Sequence, residues 1–201
     1  MFINSKKLIS IACAAVFAGT AGLAAAEPVT YQVDPTHTFA HFVYDHMGLS
    51  RQNNSFENTS GFLTLDLEEK TGELQIEIDL LSVNTGAKIF NEHLQGADFF
   101  DTENHPTATF ESTKIVFDGD EPVAVEGELT IKGITKEVTF ELDHYHYLDE
   151  HPMLKRPAIG ANAKTTVKRS DFNMDKYAPM IADDVTIEVS FEGIAQDSDE
   201  E

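Results

Sequence analysis

Histidines are the residues whose type and spacing come nearest to a chemical site in this chain. His144 and His146 lie two positions apart, and His151 follows them. Residues two apart on a strand point to the same face, so this pair could bind one ion such as zinc. His37 and His41 share a face in the same way. No spacing places a third ligand, and no cysteine lies near them, so the pattern favours solvated histidines over a metal site.

Motifs for hydrolysis and for phosphate binding do not occur in the sequence. Serine, histidine and aspartate are abundant, but no Gly-x-Ser-x-Gly turn presents a nucleophile. No glycine-rich loop precedes a helical segment. The acidic pairs Asp149-Glu150 and Asp183-Asp184 lack the regular oxygen-ligand spacing of a calcium loop. We therefore expect a non-enzymatic protein that carries no metal or other cofactor.

Alternation of apolar and polar residues is the dominant pattern of the chain. Leu74 to Leu80 and Val185 to Phe191 are the clearest examples, each with one apolar and one polar face. Turn residues separate most of these segments from one another. The pattern predicts eight strands, near 29–46, 56–67, 73–83, 106–117, 122–132, 135–145, 158–168 and 184–195.

One segment departs from the alternation. Ala87 to Phe100 has apolar residues at helical spacing, which predicts a short helix ending near Gly96, between the third and fourth strands. Residues 148–157 and 169–183 are predicted loops. Short connections between successive strands favour an all-β, eight-stranded antiparallel up-and-down barrel. Such a barrel is wide enough to be filled by its own side chains or to hold one small ligand.

The apolar face of each strand is predicted to turn inward. Small residues on that face, among them Ala161, Ala163 and Gly127, suggest a channel inside the barrel. The inward positions are Ala40, Phe42, Tyr44, Leu63, Leu65, Leu74, Ile76, Ile78, Phe110, Leu129, Ile131, Val138, Phe140, Ala161, Ala163, Ile187 and Val189.

Charge and the first residues indicate a secreted, acidic protein. The chain has 35 acidic and 14 basic residues, a net charge of −21, which disfavours binding to nucleic acid or to an anionic membrane surface. Residues 1–26 combine two lysines, an apolar run and a small-residue cleavage site, which predicts a cleavable signal peptide and no membrane-spanning anchor. The expected mature domain is 27–201, with an acidic tail at 197–201.

Four segments in order resemble the YceI-like family of secreted polyisoprenoid-binding proteins. Each segment alone is weakly specific, but the four together cover essentially the whole mature chain. They are Tyr31 to Thr38 continuing to Ser50, Asn91 to Ser112, Gly127 to Val138, and Lys168 to Met174 leading to Val185.

The resemblance implies a lipocalin-like barrel with an elongated apolar cavity for an isoprenoid chain, such as a polyprenyl phosphate or a quinone tail, in the periplasm. The inward positions become the expected lipid-binding residues, and a homodimer covering the cavity mouth is an open alternative. The runner-up interpretations are a metal-binding or enzymatic barrel that uses the histidines, and a filled barrel acting as a stress-linked interaction protein.

Two positions depart from the family pattern. Asn173 stands where the family usually has glycine, and we expect it to keep the turn because asparagine tolerates a left-handed backbone. Phe90-Asn91 stands where a basic residue usually precedes the helix acid. This second change predicts a preference for a less charged head group.

Overall fold

The strands of this protein form one sheet that closes on itself. The computed structural model describes residues 27–196, so the predicted signal peptide 1–26 and the tail 197–201 lie outside the described residues. The strands are β1 Val29–Val33, β2 Phe39–His46, β3 Ser50–Phe56, β4 Thr59–Asp66, β5 Thr71–Asp79, β6 Val83–Asn84, β7 Thr107–Asp118, β8 Glu121–Ile131, β9 Ile134–Leu148, β10 Ala158–Lys168 and β11 Asp184–Ala195.

These strands join end to end or stand alone to form eight long antiparallel barrel strands, which we call staves. β1 and β2 form one kinked stave, β3 and β4 a second, and β5 continues through a 3₁₀ turn, Leu80–Ser82, into β6. Each stave pairs with its neighbours in chain order, and β11 pairs with both β1 and β2. The prediction of an all-β, closed eight-stranded antiparallel barrel is confirmed.

The kink between β1 and β2 is fixed by side-chain hydrogen bonds. The Asp34 carboxylate accepts bonds from the backbone N–H and the hydroxyl of Thr36, at 2.8 and 2.7 Å. Thr38, whose side chain is fully buried, donates its hydroxyl to the Glu192 carbonyl at 3.1 Å and accepts the Glu192 N–H at 3.0 Å. The Thr38 bonds join the kink to β11, so they hold the closing seam of the barrel.

The second stave begins earlier than the sequence predicts. The predicted strand starts at residue 56, but β3 extends it back to Ser50. The segment from Ser50 to Ser55 is polar and shows no alternation, so its sequence gives no strand signal. It is extended because it pairs along its whole length with β2, from His46↔Ser50 to Ala40↔Phe56. Tertiary pairing here overrides a weak local preference.

Four connections project from the same end of the barrel. The β2–β3 hairpin turns there, and so does the short β8–β9 turn at Lys132 and Gly133. The helix α1, Lys88–Gln95, lies in the connection between β6 and β7 and ends at Gly96. A second 3₁₀ turn, Arg169–Phe172, opens the loop between β10 and β11. We call this the open end, and the end with the β4–β5, β7–β8 and β9–β10 turns the closed end.

A glycine lets two strands and an aromatic ring pack closely in the core. Gly127 on β8 lies under the ring of Phe110, which meets the ring of Phe140 edge-on at 5.1 Å. A Cβ atom at Gly127 would lie 2.6 Å from the Phe110 ring and 2.4 Å from the Glu111 carbonyl oxygen. The expectation that Gly127 leaves channel space is therefore wrong at this position, because Phe110 fills it.

We predict that Gly127→Ala lowers the free energy of unfolding by about 1–3 kcal/mol, the cost of overpacking a core. Urea unfolding measures it. Gly160→Ala on β10 is the matched control, because its new Cβ has only the Phe191 carbonyl oxygen within reach, at 3.8 Å. That control should change stability by no more than about 0.5 kcal/mol. Equal stability of both variants would contradict the close packing described for Gly127.

Candidate functional site

An apolar cavity of about 500 Å³ occupies the inside of the barrel. Residues from every stave line it, together with residues from α1 and the β10–β11 loop. Its volume falls within the range of pockets that hold small ligands. A hollow of this size does not fit the interpretation of a fully filled barrel.

The inward positions predicted from the sequence lie around this cavity, with one exception. Several of them, such as Ile76, Ile78 and Val189, face inward yet are only half-buried, because the cavity exposes them. The exception is Val138, which packs against the core but does not line the cavity. Val138 pairs with Gly127, and the Phe110 ring lies over that glycine. A role in lipid binding stays a prediction for the whole set.

The sequence did not point to the cavity residues outside the strands. These are mostly aromatic and sulfur-containing side chains of the open end. The helical spacing around Ile89 singled out Phe90, Leu94 and Phe100 as apolar, but nothing in the sequence directed them towards a cavity. The additional lining residues of this end are Met47, Leu80, Phe90, His93, Leu94, Phe99, Phe100, Phe172, Met174, Tyr177, Met180 and Ile181.

Three tyrosines lie together at the closed end. Tyr31 is almost fully buried, and burial, with smaller contributions from Tyr147 and Tyr145, raises the pKa of its hydroxyl to about 12. Burial likewise raises the pKa of Tyr145, which lines the cavity. Both phenols are therefore neutral at physiological pH. The inner end of the cavity carries no ionised tyrosine that would oppose an apolar chain.

Two aromatic groups shape the open end. Phe42, Phe56 and Phe100 form one cluster, with ring centroids 5.3 to 5.9 Å apart. Phe90, His93, Phe99 and Tyr177 form a chain in which neighbouring rings are 4.8 to 6.4 Å apart.

These two groups connect the segment around α1 to β2 and β3 on one side and to the β10–β11 loop on the other. The rim of the cavity is therefore a packed set of rings.

A buried arginine organises the β10–β11 loop. Arg169 donates from Nε to the Ala182 carbonyl at 2.9 Å, from Nη1 to the carbonyls of Met174 and Lys176, and from Nη2 to the Ile181 carbonyl at 3.0 Å. Burial lowers the pKa of this guanidinium, and the nearby Asp183 opposes that change. Because most of its N–H groups donate to loop carbonyls, Arg169 anchors the loop beside the cavity.

Asn173 takes the left-handed conformation expected of it. Its φ and ψ are 54° and 41°, and its N–H closes the turn on the Arg169 and Ser170 carbonyls. The Asn173 carbonyl in turn accepts a hydrogen bond from Lys132 Nζ at 3.0 Å. Lys132 Nζ also donates to the Ala97 carbonyl at 2.7 Å. The glycine that the resemblance implies at this position is thus replaced without loss of the turn.

The wall of the cavity carries little charge. Among the described residues, its lining includes no carboxylate and no lysine, and Arg169 is its one permanent cation. The buried hydroxyls of Thr59 and Tyr145 have no hydrogen-bond partner among the described residues. The arrangement suits an apolar chain with a polar group near the rim.

The histidines predicted as alternative metal ligands lie outside the cavity or at its rim. His144 and His146 are exposed on β9, and His151 accepts backbone N–H groups of Met153 and Leu154 at 3.3 and 3.2 Å. His41 contacts Asn53 at 3.1 Å. The absence of a metal stays a prediction.

A different group of possible ligand atoms occurs at the kink. In the described part of the chain, Asp34, His37 and Glu192 bring their ligand atoms within 4.8 Å of one another. His37 contacts the Asp34 carboxylate at 2.8 Å, and this hydrogen bond raises the pKa of His37. Since Asp34 already accepts two bonds from Thr36, these side chains serve the kink.

Among residues 27–196, no helix combines the length and the apolar character needed to cross a membrane.

Comparisons with family models and with known proteins relate this chain to the same family. The family model described as the YceI-like domain matches residues 31–193. The protein called Protein YceI from Escherichia coli O157:H7 is 31% identical over 194 residues, which cover 95% of this chain and 98% of that protein.

Solved structures share the fold. BcnA from Burkholderia cenocepacia has a TM-score of 0.70 and 27% identity, covering 80% of this chain and 98% of its own. A domain from Saccharophagus degradans, described as polyisoprenoid-binding and implicated in plant cell wall breakdown, has a TM-score of 0.60. It is 19% identical and covers 84% of this chain and 99% of its own, so it shows the fold alone.

We predict that Arg169→Met lowers the free energy of unfolding by at least about 2 kcal/mol, because loop carbonyls lose charged hydrogen bonds. Hydrogen exchange should rise across residues 174–182. Lys168→Met is the control, since the exposed Lys168 pairs with Asp184 at the surface, and its loss should cost about 0.5 kcal/mol or less. Unchanged exchange in the Arg169 variant would contradict the anchoring role.

We also predict that Asp183 makes a pH-dependent contribution to the free energy of unfolding. A hydrogen bond from the Ser170 hydroxyl, at 2.7 Å, lowers the pKa of this carboxyl below its ordinary 3.8. A lowered folded pKa stabilises the protein above the unfolded value, and that contribution is lost as the pH falls through the folded pKa. The stability difference between the native chain and Asp183→Asn should therefore shrink as the pH falls below 3.8.

Urea unfolding across that range measures the difference. Asp184→Asn, which removes the neighbouring exposed carboxylate and its surface pairing with Lys168, controls for the loss of a surface charge. A pH dependence no larger for Asp183→Asn than for Asp184→Asn would count against the role of the Ser170 bonds.

Proposed function

The chain belongs to the YceI-like family, and from that membership and its cavity we infer that it is a non-enzymatic carrier or sequestering protein for a long isoprenoid-type lipid. The family resemblance predicted from four sequence segments is confirmed. The lipid, the carrier role and the absence of catalysis are proposals.

The single observation that carries the proposal is the apolar cavity inside the barrel. Inward-facing side chains on β5, β10 and β11 are left half-buried because they border this space. A chain that fills it would cover them. Each buried methylene group contributes about 0.8 kcal/mol, so a long hydrocarbon chain gains binding free energy with few polar contacts. An isoprenoid chain supplies this surface in an extended form.

The polar part of the ligand would lie at the open end. Arg169 and Tyr44 border the cavity there. Burial raises the pKa of Tyr44, and a hydrogen bond with Asn54 and the charge of Arg169 oppose that change. Most donors of Arg169 are engaged with loop carbonyls. Phe90 lines the cavity, and the Asn91 side chain accepts bonds from Thr85 at 2.6 and 2.9 Å instead of facing a ligand. This environment favours a head group with less charge than a phosphate, such as a quinone.

A solved structure with the same fold supports an isoprenoid lipid as the ligand. The Saccharophagus degradans domain with this fold is described as polyisoprenoid-binding. The proposed compartment is the periplasm, and it rests on the signal-peptide pattern of residues 1–26.

We predict that Ile76→Phe reduces the amount of lipid that co-purifies with the protein, because the larger ring enters the cavity beside Phe110 and narrows it. Stability should change little, since the added volume occupies open space. Mass spectrometry of an organic extract and thermal unfolding measure the two effects.

Glu77→Gln is the control, because the neighbouring Glu77 is exposed on the outer face of the same strand. It should change neither lipid content nor stability. If the native protein holds no lipid and Ile76→Phe costs about 1–3 kcal/mol, as in a filled core, the carrier proposal fails.

A further inference from the structure

The two ends of the cavity differ in how far their lining is exposed. At the open end the lining residues Met47, Tyr177 and Met180 are exposed, Met180 to 65%. At the closed end lining residues such as Ile115 and Ile159 are buried, with Ile115 only 8% exposed. Within residues 27–196, the cavity is therefore a blind channel with its mouth at the open end.

Side chains at the closed end lean over a glycine and fill the end of the barrel. A Cβ atom at Gly72, the second residue of β5, would lie 2.7 Å from Ile115 Cδ1 and 2.9 Å from Leu65 Cδ1. The two methyl groups therefore take the space that a side chain at position 72 would need. They close the barrel on the side of β4, β5 and β7.

A second glycine has the same role on β11. A Cβ atom at Gly193 would lie 3.2 Å from Phe191 Cζ and 3.1 Å from Tyr31 Cβ. Gly193 pairs with Ile159 and is two residues nearer to the closed end than Phe191, so the Phe191 ring leans towards that end. We call the lining residues that close this end the floor: Leu65, Ile115, Ile159 and Phe191.

The distance from the floor to the mouth can be counted along β10. Ile159 at the floor and Val167 near the open end both line the cavity. A strand rises about 3.3 Å per residue and barrel strands tilt by about 40°, so these two residues are about 20 Å apart along the barrel axis. Carbon–carbon bonds are about 1.5 Å long, so an extended isoprene unit, with four bonds along its chain, advances about 5 Å. The channel therefore has the length of about four isoprene units.

We propose that the floor limits the length of isoprenoid chain inside the barrel to about four units, with the polar end of the ligand at the mouth. This inference rests on the proposed function and adds the length of chain that the channel selects. Each unit up to the fourth moves from water onto inward side chains such as Ile76 and Val189. Further units stay outside the mouth, so they add little to the affinity.

Competition binding with prenols of increasing length tests the limit. All-trans prenols of two, three, four and nine isoprene units displace the fluorescent probe N-phenyl-1-naphthylamine from the whole protein. We expect binding to tighten at least about tenfold for each unit up to four, because each unit removes five more carbon atoms from water. Between four and nine units the affinity should change less than about threefold.

Two variants place the same ring at two depths in the channel. Ala161 and Ala163 both line the cavity on β10, and Ala163 is nearer to the mouth by about 5 Å along the axis, the length of one isoprene unit. Ala161→Phe should weaken the four-unit prenol at least about tenfold and leave the three-unit prenol within about threefold. Ala163→Phe should extend the loss to the three-unit prenol. Asn162→Phe is the control, because Asn162 is exposed on the outer face between them, and it should keep the native length dependence.

The possible outcomes separate the length limit from the carrier role. A nine-unit prenol that binds at least about tenfold more tightly than the four-unit prenol would overturn the limit and leave the carrier proposal standing. Equal weakening of every prenol in both alanine variants would also overturn it, because a purely structural defect does not depend on ligand length. A native protein that binds none of the prenols would overturn the proposed function together with the limit. The prenol series on the native protein decides the limit by itself if a variant does not fold.

Discussion

Closure of the barrel depends on one kinked stave that pairs with β11 on both sides of its kink. β1 pairs with the end of β11, and β2 pairs with its middle. The buried Thr38 hydroxyl exchanges two hydrogen bonds with the Glu192 backbone, so the chain changes direction without leaving polar groups unpaired. An unclosed sheet would expose two edges and its apolar face, and no internal cavity would exist. The geometry of the cavity is therefore a consequence of this seam.

The open end is built differently from the staves. Its connections hold together through Arg169, through Lys132, which bonds the carbonyls of both Ala97 and Asn173, and through the ion pair of Lys176 with Asp98. These contacts satisfy backbone carbonyls while leaving rings and thioethers at the mouth. The result is a polar framework that supports an apolar cavity mouth.

The strand pattern could be read from the sequence because the buried face of a stave repeats every second residue. That repeat located most of the staves and nearly all the inward positions. It failed at β3, where Ser50 to Ser55 carry no apolar face and only pairing with β2 holds them extended. It also failed at Gly127, whose missing side chain is replaced by a ring from the neighbouring strand. In both cases the deciding contact comes from elsewhere in the chain.

The sequence by itself determined the all-β class, the eight staves, the family and the side of each strand that faces inward. These follow from local periodicity and from motifs that are contiguous in the chain. Only the tertiary structure decided that the barrel is hollow, that Val138 is screened from the cavity, and that the rim joins three distant connections. Whether an inward face meets other side chains or open space depends on the distance across the barrel. That distance is set by the packing of all eight staves together, and no single segment encodes it.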